Sequence, residues 1–132
     1  MLRALKRLLR PGGRIAFTTI FVTPGLAPAA HLRARRSGPR AVASRSRQPR
    51  LLASAGFVDI DEIDVTAEFA ATAGAWSKEW EANADQLALL EPPGAFAERQ
   101  RERRRQLAAI DDGLLRRALY SASRPTAPLA RD

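Results

Sequence analysis

Near the start of the sequence a helix, a sharp turn and a strand are written back to back, in Leu5-Lys6-Arg7-Leu8-Leu9-Arg10-Pro11-Gly12-Gly13-Arg14-Ile15-Ala16-Phe17. Leu2, Leu5, Leu8 and Leu9 recur at helical spacing, so a helix over Leu2 to Leu9 has one apolar face. Pro11 cannot continue it, and Gly12 and Gly13 accept the positive φ that reverses the chain. Ile15 to Phe21 is then β-branched and aromatic, of strand length. Helix, turn and strand in this order make half of a crossover unit, the half that follows a preceding strand.

Downstream, Thr23 to Ala30 reads as loop from its Pro and Gly content, and His31 to Arg36 as a basic helical turn broken at Ser37-Gly38-Pro39. Arg40 to Arg47 is a polar connector, partly helical. Pro49 suits the first turn of a helix to Ala55 with Gly56 as its cap. Phe57, Val58 and Ile60 open a strand, and Ile63 and Val65 fall out of phase with them, which predicts a bulge or an end near Glu62. Thr66 is a candidate N-cap with Glu68 in the first turn. Phe69, Ala73, Trp76, Trp80, Ala84 and Leu87 step at three and four residues, which predicts one long helix ending before Pro92-Pro93. A charged helix from Ala95 to Ile110, a turn at Asp111-Asp112-Gly113 and a strand from Leu115 to Ser123 complete the organisation. Thr126 to Asp132 carries no packing signal and reads as a loose tail.

Three of these segments carry a family resemblance. The stretch Leu5 to Phe17 resembles the "LxxxxRxLxPGGxxxx" run before the fifth strand of Rossmann-like (class I) S-adenosylmethionine-dependent methyltransferases. Pro49-Arg50-Leu51-Leu52-Ala53-Ser54-Ala55-Gly56-Phe57 is similar to the helix ending in "AGF" that leads into that family's sixth strand. Gly113 to Pro125 resembles its last strand. The resemblance spans about Leu2 to Pro125 and implies a partial Rossmann-like α/β sheet. Strands five, six and seven would carry flanking helices, with the last strand antiparallel and inserted between the other two. Residues 1–125 would then form the C-terminal part of a methyltransferase-like domain, and 126–132 the tail.

The family's cofactor contacts are a Gly-rich turn after an early strand, an acid ending the second strand and a further acidic or aromatic position near the fourth. No G-x-G turn following a strand occurs in these residues. The resemblance therefore implies a fragment whose cofactor-binding half is absent. The parent domain would transfer a methyl group from S-adenosylmethionine to a small-molecule acceptor, while this chain alone would bind no cofactor and be inactive. In the family a fourth strand pairs with the fifth. The run Ile15 to Phe21 would thus present an open edge, favouring a partner chain, a homodimer or aggregation.

With 132 residues the chain can form one small domain, and a hydrophobic fraction of 45% argues against wholesale disorder. The absence of cysteine excludes disulfides, thiolate metal sites and cysteine nucleophiles. The apolar stretch from Ile15 to Ala30, broken by Pro24, Gly25 and Pro28, is shorter than the roughly 20 residues a spanning helix needs. A membrane partner is not expected, and the reading places the protein in the cytoplasm. Charge is lopsided: residues 1–58 hold twelve Lys or Arg and no acid, whereas residues 59–132 hold ten basic and fourteen acidic residues. A basic half can mark an anionic partner. The alternative function is thus a non-enzymatic module that binds a partner chain or an anionic polymer. Arginine outnumbers lysine twenty to two, which together with abundant alanine suits a GC-rich genome. Compensating acids on the absent half are the favoured explanation, and nucleic acid is disfavoured. The acid-free start also imitates a targeting segment, against which Pro11-Gly12-Gly13 divides it as a fold turn does.

Candidate site residues are few. Thr19, Phe21 and Thr23 lie on and beyond the end of the first strand, where the family's substrate pocket is walled. Plain β-propensity explains the threonines as well. His31, the single histidine, stands near the carboxyl end of that strand, where α/β sheets bind ligands, and could act as a general base. Among Leu32, Arg33, Arg35 and Arg36 it equally reads as a solvated side chain. Trp76 with Trp80 could cage a methylated ammonium or stack on a planar acceptor, yet the stripe they share with Phe69 and Leu87 favours core packing. Glu98 to Arg105 holds five arginines and two glutamates, which reads as a solvated face laced by i+3 and i+4 pairs, or as an RNA- or phosphate-binding patch. Asp59, Asp61, Glu62 and Asp64 alternate with apolar residues, as on an edge strand with one wet face. No nucleophile–histidine–acid set and no zinc-ligand spacing can be assembled, so no catalytic or metal residue is assigned.

Overall fold

The computed structural model describes residues 1–39 and 47–126. Helix α1 covers Leu2–Leu8, β1 Arg14–Val22, α2 Pro28–Ser37, α3 Gln48–Ser54, β2 Val58–Asp64, α4 Thr66–Ala82, α5 Ala84–Ala88, α6 Ala95–Asp111 and β3 Leu115–Ser123. The expected connector from Arg40 to Arg47 and the tail fall largely outside the described residues.

The three strands of the described sheet stand in the order β1-β3-β2. β3 runs antiparallel to β2, with Glu62 opposite Tyr120, Ile63 opposite Leu119 and Asp64 opposite Ala118. Backbone bonds from Gly12 N–H to the Arg124 carbonyl (2.9 Å) and from Arg124 N–H to the Gly13 carbonyl (2.8 Å) join the start of β1 to the end of β3. Thr23 N–H donates to the Leu114 carbonyl (3.0 Å) at the other end, so β1 and β3 are antiparallel too. The last strand is inserted between the other two, as the resemblance implies.

The chain divides into two compact units. One gathers Met1–Thr19 with the described parts of Ser44–Asp64 and Ala118–Asp132; the other gathers the described part of Ile20–Ala43 with Val65–Arg117. In the first, α3 packs on β2. Its helix ends as glycine caps do: Gly56 sits at φ +93°, Phe57 N–H reaches the Leu52 carbonyl and Gly56 N–H the Ala53 carbonyl, both at 3.0 Å. This closes the last turn with a 6→1 and a 5→2 bond, and Leu52 and Phe57 are both buried. A side chain on Gly56 would run into Lys6 Nζ. Arg124 Nη1 donates to the carbonyls of Leu9 (2.6 Å) and Lys6 (3.3 Å), satisfying the open end of α1.

The second unit is built on Ala34, Ala109, Ile110, Leu114 and Leu115, with Ile20, Val22, Leu26, Ala30, Phe69 and Ala70 packed around them. Here α6 touches α2, α4 and α5. Gly113 repeats the cap chemistry, at φ +77° with Leu114 N–H bonded to the Ala109 carbonyl (2.8 Å) and Gly113 N–H to the Ile110 carbonyl (3.0 Å).

Several local expectations are corrected. The loop read over Thr23 to Ala30 ends early, because Pro28 opens α2 at its first turn, where its fixed φ suits a helix. The register slip in β2 lies between Val58 and Asp61, earlier than Glu62, with Asp59 at φ +50°. Thr66 does not cap α4. Val65 takes the N-cap position, and Thr66 Oγ1 instead accepts from Arg117 N–H (3.0 Å) and donates to the Arg117 carbonyl (3.3 Å). The single long helix is two, α4 and α5, divided at Asn83, whose side chain donates back to the Glu79 carbonyl at 2.8 Å.

Candidate functional site

The end of β1 alternates in the way a strand must. Ile20 and Val22 face the apolar cluster of their unit, so Phe17, Thr19 and Phe21 occupy the opposite face. Thr19 and Phe21 are half-buried there, and each has further interactions. Phe17 packs on Tyr120 with ring centroids 5.5 Å apart. Thr23 has a structural role, because its Oγ1 donates to the Gly113 carbonyl at 2.6 Å. Its hydroxyl proton is thereby committed to the turn that launches β3.

His31 is exposed on α2, whose Ala30 and Ala34 face the core instead. Trp76 overturns the core-packing expectation, since 58% of its surface is open. It pairs with Trp80 at a centroid distance of 6.0 Å, and the Arg103 guanidinium lies 3.7 Å over the Trp80 ring. Of the five candidates, then, Thr19 and Phe21 share a strand face, Thr23 closes a turn, and His31 and Trp76 are exposed on two different helices.

Tyr120 is the residue that the sequence did not single out. It is 1% exposed, and burial is the main force pushing its phenol above the ordinary tyrosine value, with a hydrogen bond to Glu62 adding to it. Arg47 Nη2 donates to both Glu62 oxygens at 2.8 Å, which holds that carboxylate in place. A lone tyrosine in a strand with small alternating neighbours was the available signal.

Acids of the second half meet arginines of the first: Arg47 pairs with Glu62, Arg33 with Asp112 at 3.2 Å, and Arg14 with Asp61 at 3.9 Å. Arg14 also donates to Ser123 Oγ at 2.7 Å. Part of the charge imbalance is thus settled within the chain. The pairs expected along α6 are replaced by longer reaches, Arg99 to Glu91 and Arg104 to Glu81 (3.9 Å). The acids of β2 stay on an end strand, and no group of three or more possible metal ligands occurs among the described residues. No described helix is long and apolar enough to cross a membrane.

The strand order decides the architecture: an antiparallel last strand between two strands that each follow a helix. These strands are arranged as a part of the sheet of Rossmann-like methyltransferases. No family model matches the chain, and no curated protein matches its sequence. Solved structures do. It is similar to phosphoethanolamine N-methyltransferase 2 of Haemonchus contortus, in complex with phosphomonomethylethanolamine and S-adenosylhomocysteine, at 18% identity and a TM-score of 0.72 over 95% of this chain and 29% of that one. A sarcosine dimethylglycine methyltransferase of Galdieria sulphuraria, itself assigned only provisionally, matches at 13% identity and a TM-score of 0.76, over 96% of this chain and 47% of that one. The [4+2]-cyclase SpnF matches at 18% and 0.64, over 96% and 43%. The chain therefore spans between 29% and 47% of the length of these proteins, and at these identities the likeness concerns the fold.

The turn after β1 is Thr23-Pro24-Gly25 and leads into a helix that begins at Pro28 with no acid in its first turn. Neither β2 nor β3 is followed by a Gly-rich turn among the described residues.

Proposed function

We propose that this chain is the substrate-side portion of a domain that transfers a methyl group from S-adenosylmethionine to a small-molecule acceptor, and that it binds no cofactor by itself. The carrying observation is the insertion of β3 between β1 and β2, in a chain that overlays methyltransferase structures over nearly its whole length. SpnF, named for a different reaction, shows how far chemistry varies on this architecture, so the activity rests on the site and not on the fold. In this reading Thr19 and Phe21 wall the acceptor, and catalysis comes from positioning rather than from an acid or base of this chain. In this reading every cofactor contact comes from residues outside these 132, on the same polypeptide or on a different partner chain.

Calorimetry tests the cofactor half of the proposal. The 132-residue chain titrated with S-adenosylmethionine should give no binding heat at micromolar concentrations. A micromolar Kd would show that these residues hold the cofactor unaided and would overturn the assignment.

A further inference from the structure

Helix α6 and the end of α2 border a cleft of about 360 Å³, with Arg36, Ser37 and Gly38 on one wall and Glu102, Arg105 and Gln106 on the other. A second depression, of about 420 Å³, is bordered by Arg101, Arg104 and again Arg105. Volumes of this size are those of small-molecule sites, about 300–1,000 Å³. Three nearby acids are engaged elsewhere, Asp112 with Arg33, Glu81 with Arg104 and Glu91 with Arg99, while Glu98 lies one turn before Glu102 on the same helix and outside the lining of both depressions. Arg36, Arg101 and Arg105 make no ion pair or side-chain hydrogen bond among the described residues. Three guanidiniums therefore converge on adjoining depressions against the single carboxylate of Glu102.

We infer that this cleft between α2 and α6 binds a phosphate group. A guanidinium presents a rigid fork of donors that matches phosphate oxygens in pairs, and it is less strongly hydrated than an ammonium. Forks from two walls can hold one tetrahedral anion on separate oxygens, and the Gln106 amide adds neutral donors. Ser37 donates its proton to the Arg33 carbonyl at 2.8 Å and so is not counted among them. A dianion gains more than a monoanion, because the carboxylate of Glu102 must be outweighed. The site stands apart from the methyl-transfer proposal, since none of its residues belongs to β1.

The test is an amide-resolved NMR titration of the 132-residue chain with inorganic phosphate, at ionic strength held constant with chloride. Saturable shifts centred on Ser37, Gly38 and Gln106 are expected. Arg105→Ala and Arg36→Ala should each weaken binding roughly tenfold or more, and Arg105→Lys, which keeps the charge but loses the fork, by less. Arg50→Ala, at an exposed position of α3, should leave it unchanged. Glycerol 3-phosphate binding more tightly than phosphate would assign the site to a phosphate monoester, and equal binding to the free ion. Shifts that spread evenly over the basic surface, that chloride reproduces, or that survive undiminished in the folded Arg105→Ala and Arg36→Ala variants would overturn the inference. Binding confined to long polyanions would overturn it as well.

Discussion

Helix α4 carries both tryptophans of the chain and buries neither, whereas β3 carries its one tyrosine and buries it almost completely. The two elements look equally good on paper, each with apolar residues at the period its geometry demands. What separates them is cover. β3 has a strand on each side, and Leu115, Ala118, Tyr120 and Ala122 are all shielded. Along α4, Phe69 and Ala70 reach the apolar cluster, half-buried Trp80 lies under the Arg103 guanidinium, and Trp76 pairs with Trp80. Trp76 lies seven residues after Phe69 and so on nearly the same helical face. A shared face does not guarantee cover along its length.

If cover is the difference, the same kind of truncation should act very unequally on the two elements. Tyr120→Ala removes a buried ring that packs on Phe17 and is bonded to Glu62, and it should destabilise the chain by about 3–5 kcal/mol, seen as a large drop in Tm. A loss below about 1 kcal/mol would mean that β3 is less enclosed than described.

Alkaline titration sharpens the contrast. The Tyr120 phenol is raised in the folded chain, so the unfolded chain releases its proton first, at about pH 10. Above that value the unfolded state binds fewer protons than the folded one, and stability must fall as pH rises further. The contribution is present in full below the unfolded pKa. Tyr120→Phe should remove this part of the alkaline slope; wild-type and variant chains that lose stability in parallel above pH 10 would show that the phenol is not held as described.

Trp76→Ala should have the smallest effect, within roughly 0.5 kcal/mol, as for surface substitutions away from special contacts. Its fluorescence should report an exposed indole. A penalty near that of Tyr120→Ala would place the ring under cover that the structure does not show.

These contrasts explain what could be read in advance. β3 was legible to its end residues, Leu115 and Ser123, because a glycine cap fixes its start and alternation its length. The cap at Gly56 was legible because a residue at positive φ closes such a helix with a 6→1 bond, whereas Gly113 was legible only as part of a turn and proves to be a second cap of the same kind. The break at Asn83 was hidden, since the apolar spacing runs on through Ala84 and Leu87 while the asparagine side chain competes locally for the Glu79 carbonyl. The start of α2 was lost by reading Pro28 as a breaker when it stands in a first turn. At the candidate site, the strand placed Thr19 and Phe21 on one face by its period alone. The commitment of Thr23 to Gly113 depends on a contact ninety residues away in sequence, beyond the reach of any local pattern.

Native-state amide exchange across the sheet tests the central claim most directly. With β3 between two partners, the amides of Leu115–Ser123 should be among the slowest in the chain, slower than those of the exposed end strand Val58–Asp64 and than those around Trp76 in α4. Rapid exchange along β3, or protection in β2 that exceeds it, would contradict the inserted antiparallel strand on which both the fold assignment and the proposed function rest.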